Sequence, residues 1–327
     1  MQAFEYARPS NAKEAVKLLG TDWSQAELLA GGSDLLSRMK DSVSAPHRVV
    51  SLTGATELRG IEFSPGRGLR LGAMATLDEI GSHADVKRHY PGLAQSVELI
   101  GGPQIRNVGT VGGNLCQRPR CWYYRAGYGL LAMKDGKSLV PDGDNRYHAI
   151  LGNSGPAYFV SPTNLGPMLI ALEAKVRLLG SSGPRELPLE QFFVIPKSEG
   201  EREHALKPNE VITEVVVPPP GGAKSGFYEV LQKESLDWPL AAAAVVLRMD
   251  GGKVKQARVV LGQVAPIPWM SAEAAEALAG KAPSESVADE AGKAAVSKAT
   301  PLSGNRYKVQ LTRVAVKRAV MRAAPGA

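Results

Sequence analysis

Two short glycine segments are the first places in this chain where chemistry could happen. Ala30-Gly31-Gly32-Ser33-Asp34 follows the apolar run Ala26 to Ala30 and precedes Asp34 to Lys40. A strand, two glycines, a hydroxyl and a helix start can turn several backbone N–H groups outward together. Glycine removes the Cβ that would block close approach, so such a turn suits a phosphate. It also serves as an ordinary strand–helix turn. It is neither a Walker motif nor a GxGxxG fingerprint. Thr110-Val111-Gly112-Gly113-Asn114 repeats the logic eighty residues later. Two such turns can hold a diphosphate from two sides; a glycine bulge between strands is the plainer reading.

A third segment is Gln117-Arg118-Pro119-Arg120-Cys121-Trp122-Tyr123-Tyr124-Arg125, where three arginines alternate with three aromatics. It can stack on a flat ring and neutralise phosphate, or serve as a contact between subunits. Cys116 and Cys121 are the two cysteines of the chain. Two thiolates cannot complete a tetrahedral metal site, and free structural thiols are the default. In Lys233-Glu234-Ser235-Leu236-Asp237-Trp238-Pro239, Lys233 and Asp237 can pair across an exposed connection. No Ser-His-Asp set, HExxH or kinase signature is present.

These segments need elements to hold them. At about 150 residues per domain, 327 residues imply two or three domains. Apolar residues at 44% and charged residues at 22% exclude a disordered or collagen-like chain. Helices are expected at Asn11 to Gly20, after Thr76 and over Leu93 to Ile100. Strands are expected at His47 to Leu52, Gly68 to Ala75 and Val211 to Val217. The run Pro218-Pro219-Pro220-Gly221-Gly222 is the strongest break, and a domain boundary is placed there. Beyond it, Phe227 to Lys233, Ala241 to Met249 and Val254 to Val264 read as three strands, the last two joined at Asp250-Gly251-Gly252. Tyr307 to Ala323 reads as a long amphipathic helix.

The net charge of +7 is dispersed, so nothing marks a nucleic-acid face. No apolar run reaches the 18 residues of a membrane span, and the first residues lack the pattern of a signal peptide. A cytoplasmic protein is expected, with export beside a signal-bearing partner left open.

In sequence order, FEYARPSNAKEAVKLL, LLAGGSDLL, LRLGAMATLDEI, GGPQIRNVGTVGGNL, PNEVITEVVVPPP and KESLDWPLAAAAV resemble one family throughout. It is the FAD-binding medium subunit of the molybdenum hydroxylases, the xanthine, carbon monoxide and aldehyde dehydrogenase group. The resemblance implies an α+β fold. A two-lobed FAD-binding domain of the vanillyl-alcohol-oxidase (PCMH) type would span 1–220, with lobes at about 1–56 and 57–220 and an insertion at about 116–157. A small C-terminal domain with a three-stranded sheet and helices would span 221–327.

The resemblance also implies roles. Ala30, Gly31, Gly32, Ser33, Asp34 and Leu35 would wrap the FAD diphosphate. Thr110, Val111, Gly112, Gly113 and Asn114 would meet the diphosphate and ribityl chain from the other side. Ile100 would lie over the isoalloxazine, Ile212 would offer backbone contact to it, and Lys233 would be a basic group nearby. Asn164 stands where the family usually has an Asp bonded to the adenosine ribose.

NLCQRPRCWYYR and the following insertion up to RYHAILG resemble the aldehyde-oxidoreductase branch, whose insertion carries four cysteines around a [4Fe–4S] cluster. Here Cys121 matches one of them and the later stretches have none. An insertion without a cluster is expected, and no metal site in the chain.

The function so implied is an FAD-dependent oxidoreductase subunit working in electron transfer. It would receive electrons from [2Fe–2S] clusters in a small partner subunit, with the molybdenum cofactor in a large one. It would reduce NAD, a quinone, ferredoxin or dioxygen. The alternatives are a stand-alone FAD oxidoreductase and a structural subunit with a decayed flavin site.

Overall fold

A computed structural model describes residues 1–233 and 237–324. The first lobe is a three-stranded parallel sheet in the spatial order Glu5–Ala7, Arg48–Ser51, Ala26–Leu29. Its companion helix, Ala12–Leu18, is capped by the Asn11 side chain, which accepts the Glu14 N–H. That helix buries Ala12, Ala15 and Val16 against Ala26, Val50 and Leu52. The spacing of three and four residues puts these side chains on one stripe.

The second lobe is a five-stranded antiparallel sheet in the order Ile61–Ser64, Gly68–Gly72, Glu210–Val217, Lys175–Gly180, Gly183–Pro188. The helix expected after Thr76 begins with a full capping box. The Thr76 hydroxyl accepts the Glu79 N–H, and the Glu79 carboxylate accepts the Thr76 N–H. Pro91–Glu98, where the sequence pattern placed a helix at Leu93 to Ile100, packs on the later strand Lys224–Val230: the Gly92 N–H donates to Ser225 Oγ and the Phe227 N–H to Gln95 Oε1, both at 3.0 Å.

The stretch Ile105 to Asn114, glycine-rich and β-branched, forms two short helices, Pro103–Val108 and Val111–Cys116. Local propensity loses here to position: Pro103 sits at a helix start and Thr110 caps the second helix.

Past the proline run the chain forms a sheet ordered Lys224–Val230, Ala241–Asp250, Lys253–Gly262, Trp269–Met270. The three expected strands are there, with a two-residue fourth added at the edge. Gly251 and Gly252 both have positive φ, +53° and +79°, as a tight hairpin turn requires. The helix Tyr307–Ala323 lies so close to this sheet that a Cβ on Gly226 would stand 2.4 Å from the Ala319 carbonyl oxygen.

The strand Ala241–Asp250 serves two cores. Ala242, Ala244 and Val246 join the core of the second lobe. Ala241, Ala243, Val245 and Leu247 join the core beneath the C-terminal helices. Alternation along a strand sends successive side chains to opposite faces, and alanine keeps both faces close to their neighbours. Among the described residues no helix is long and apolar enough to cross a membrane.

Candidate functional site

A cleft of about 400 Å³ opens where the first lobe meets the second. That is the size range of pockets that enclose a cofactor. Its rim carries both glycine segments. Gly31 packs on the backbone just before the second: a Cβ there would lie 1.9 Å from the Val108 carbonyl oxygen. Gly32 has φ +79°, the left-handed region that glycine enters without strain. Among the described residues no hydrogen bond occupies the N–H groups of Gly31, Gly32, Ser33, Asp34 or Leu35. Five successive free donors at the mouth of a cleft form a concave anion site.

The second segment works differently from the first. The Val111 N–H donates to the Ala75 carbonyl (3.0 Å) and the Gly112 N–H to Ala73 (2.9 Å). The Gly113 N–H donates to Thr110 Oγ1 (3.1 Å). It therefore offers no second set of free amides. Its glycines serve close packing, with a Cβ on Gly112 reaching 3.2 Å from the Ala73 carbonyl oxygen. What it presents to the cleft is side chains. The Thr110 hydroxyl keeps its own hydrogen to donate. Asn114 Oδ1 accepts from Thr163 Oγ1 (2.8 Å) and from the Leu165 N–H (3.2 Å), which fixes the amide and leaves Nδ2 without a partner among the described residues.

Asp34 ties the cleft to the insertion. Its carboxylate meets Arg38 (3.2 Å), Arg120 (3.0 Å) and Arg125 (2.7 Å), and accepts the Arg118 N–H (3.1 Å). Glu27 pairs with Arg38 at 2.6 Å and lies 3.9 Å from Arg202; Glu203 pairs with Arg118 at 2.5 Å. Burial alone would push the Asp34 carboxyl up, but Arg120, Arg38 and Arg125 hold it below the usual range. Burial pushes Arg120 down to about 10, against the pull of Asp34. Five guanidinium groups face three carboxylates in this network, an excess of two positive charges. A bound diphosphate would bring two negative charges to meet them.

Ala30, Gly31, Gly32, Ser33, Asp34, Leu35, Ile100, Thr110, Gly112, Gly113, Asn114, Asn164 and Ile212 all line the cleft. Val111 does not: it is fully buried in the core behind the turn. Lys233 is exposed and does not line the cleft. It borders Glu234, Ser235 and Leu236, which lie outside the described residues. Asn164 donates through Nδ2 to Glu229 Oε2 at 3.2 Å, leaving its Oδ1 as acceptor. Burial pushes the Glu229 carboxyl up to about 7, with the Asn164 bond working against it.

Residues 2–220 match the family model described as "FAD binding domain in molybdopterin dehydrogenase". Residues 226–323 match that of the "CO dehydrogenase flavoprotein C-terminal domain". The chain belongs to this flavoprotein family. It is an FAD-binding subunit of an oxidoreductase of the molybdenum hydroxylase group, and its cofactor is FAD.

It is 32% identical over 321 residues to the carbon monoxide dehydrogenase medium chain of Hydrogenophaga pseudoflava, covering 97% of this chain and 96% of that one. It is 32% identical over 280 residues to the aldehyde oxidoreductase FAD-binding subunit of Escherichia coli, covering 85% and 86%. Among solved structures, the carbon monoxide dehydrogenase of Hydrogenophaga pseudoflava that lacks the Mo-pyranopterin moiety superimposes with a TM-score of 0.77 at 30% identity, covering 98% and 97%. Quinoline 2-oxidoreductase from Pseudomonas putida gives 0.76 at 25%, covering 99% and 98%.

The flavoprotein's cleft has a further wall that sequence reasoning missed: Trp23, Glu27, Arg202, His204, Leu206 and Pro208. The Arg202 guanidinium lies 4.3 Å from the Trp23 ring centroid, and His204 stacks on Phe192 at 5.5 Å. Burial pushes the His204 imidazole down, so it is neutral, and its Nδ1 has no partner among the described residues. Arg202, Glu203 and His204 sit in a polar stretch with no periodicity, so nothing in the sequence singled them out.

The insertion has its own small core of Tyr124, Leu130, Leu131, Ala157 and Phe159, with Cys121 packed against it. Glu199 accepts the N–H groups of Leu130 (2.6 Å) and Leu131 (2.8 Å) and so ties the insertion down. Cys121 Sγ lies 3.2 Å from His148 Nε2. Cys116 lines the cleft, and burial pushes its thiol up to about 12. Among the described residues no group of three or more His, Cys, Asp or Glu is placed to hold a metal ion.

Proposed function

We propose that this flavoprotein is the electron-transfer subunit of a multi-subunit molybdenum hydroxylase. It takes electrons from [2Fe–2S] clusters of a small partner subunit, with substrate oxidised at the molybdenum cofactor of a large one. It passes them to an external acceptor. The observation that carries the reading is the row of free N–H groups from Gly31 to Leu35, beside an arginine network with two positive charges to spare.

FAD, when bound, accepts and releases the electrons; the chain places it and sets its surroundings. Gly31, Gly32, Ser33, Asp34 and Leu35 would donate their N–H groups to the diphosphate, with Ala30 leading into the turn. Thr110 Oγ1 and Asn114 Nδ2 supply donors from the opposite rim. Asn164 Oδ1 is free to accept from a ribose hydroxyl, because Nδ2 is spent on Glu229. Ile100 and Ile212, both nearly buried, would give the flavin ring apolar contact and keep water away.

The test is an absorption spectrum of the purified chain, with flavin release and iron and sulfide analysis on the same sample. Oxidised-flavin bands, about one FAD per chain and no iron agree with the reading. A broad iron–sulfur shoulder would contradict the reading of the insertion. A colourless protein that cannot be loaded with FAD would leave the structural-subunit reading in front.

A further inference from the structure

A second cavity, of about 250 Å³, lies beside the flavin cleft. The two share Arg120, Asp237, Trp238 and Pro239. The Arg120 guanidinium lies 4.8 Å from the Trp238 ring centroid, and Asp34 holds Arg120 at 3.0 Å. This pair stands between the two spaces. Trp122 and Tyr147, with ring centroids 5.4 Å apart, also line the second cavity.

Gln263 sets this cavity apart from a packing gap. It is 3% exposed, yet its Nε2 has no hydrogen-bond partner among the described residues. An unpaired buried amide is destabilising unless a partner reaches it. Its φ is +63°, a conformation that non-glycine side chains rarely adopt. Backbone strain of this kind persists where the surroundings impose it, and it gathers at binding sites.

Lys308 holds the Gln263 carbonyl in place. Its Nζ donates to the Gln263 carbonyl oxygen (2.7 Å) and to those of Tyr147 and His148 (3.2 Å each). Lys308 therefore has no donor left for the cavity, whereas the Gln263 amide does; a further unpartnered buried donor on its lining, Arg120 Nε, faces the side shared with the first cleft.

The Cys121–His148 pair on the same wall is not an activated nucleophile. Burial pushes the thiol up and the imidazole down to about 4, so both are neutral at pH 7. The chemistry available is recognition.

We infer that this second cavity binds a flat ring bearing a carbonyl or carboxamide oxygen, with Gln263 Nε2 donating to that oxygen and Trp122, Tyr147 and Trp238 flanking the ring. The volume, about 250 Å³, falls just below the usual range of ligand pockets, so it takes no more than a ring-sized group. A quinone and the nicotinamide of a pyridine nucleotide share this chemistry. The site stands on its own geometry; a role as the seat of the electron acceptor rests on the function proposed above.

The test is calorimetric titration of the purified full chain, with FAD content measured on the same samples. The probes are 1,4-naphthoquinone and nicotinamide mononucleotide. One of them should bind at one site per chain without releasing FAD, and which one binds identifies the source. Gln263→Asn keeps an amide that tolerates positive φ but draws it back by one methylene. Tyr147→Ala removes a wall residue that is 39% exposed, so folding is not at stake. Each should weaken binding by about tenfold or more.

Failure of both probes to bind would overturn the inference, as would affinities indifferent to both variants or binding that displaces FAD. A flavin-free chain that still binds a probe through Gln263 would sink the flavin reading and keep this one. A flavin-loaded chain that binds neither probe would do the reverse.

Discussion

Arg125 Nη2 lies 2.7 Å from Asp34 Oδ1, although the two residues are 91 positions apart. Arg125 belongs to the insertion and Asp34 to the first glycine turn. The contact ties the insertion to the wall of the cleft. It also explains an arginine–aromatic segment that sequence alone left divided between flavin surroundings and subunit contact. Its arginines turn inward.

Asp34→Asn removes the shared counter-charge of Arg38, Arg120 and Arg125, all at least partly buried. Arg38 keeps Glu27, but Arg120 and Arg125 lose their carboxylate, and leaving a buried cation unpaired costs about 3–5 kcal/mol. Thermal unfolding should show a lower Tm, and limited proteolysis should cut within 116–157 earlier than in the parent. An unchanged Tm and cleavage pattern would show that the arginines find other partners.

Gly31→Ala would drive a methyl group into the Val108 carbonyl oxygen at 1.9 Å, so one of the two touching turns must move. FAD affinity should fall by about tenfold or more, at least ~1.4 kcal/mol. Gly112→Ala meets Ala73 at 3.2 Å and should cost less. Flavin content after gel filtration compares them; equal retention in both would contradict the role given to the first turn.

Glu229 carries a pH signature. Its folded pKa of about 7 stands above the ordinary 4.5, so the folded chain binds the proton more tightly than the unfolded one. Its contribution is fully present below about pH 4.5 and is lost as pH rises through 7, a change on the order of 3 kcal/mol. Denaturant titrations at pH 5 and pH 8 should show this loss in the parent. Glu229→Gln, which still accepts from Asn164, should lack it.

Lys308 gives the opposite slope. Burial pushes its ammonium from 10.5 down to about 7, so the unfolded chain holds the proton more tightly in that window. The contribution from Lys308 therefore grows as pH rises from 7 toward 10.5. Lys308→Met should flatten that rise in the same titrations.

Much of the fold was legible because its signals are local. Asn11, Thr76 and the Asp250-Gly251-Gly252 turn each act within a few residues, and the helix Tyr307–Ala323 has the bounds its periodicity implied. The glycines and the family resemblance also named residues that the fold gathers along one cleft. What stayed hidden depends on distant partners. Nothing near Gly112 tells that Ala73 and Ala75 already take the amides of its segment. Nothing near Arg202 tells that Glu27 and Trp23 await it. Nothing near Gln263 tells that its carbonyl is held by Lys308, 45 residues away.

The strand Ala241–Asp250, with its alternate side chains in two cores, bears on how the molecule comes apart. Detaching the C-terminal domain would bare one complete face of that strand and the opposing face of the flavin domain together. Neither piece keeps a finished interior without the other. The family-model boundary in the low 220s is therefore a seam of ancestry rather than of mechanics, and the chain should melt as one cooperative unit.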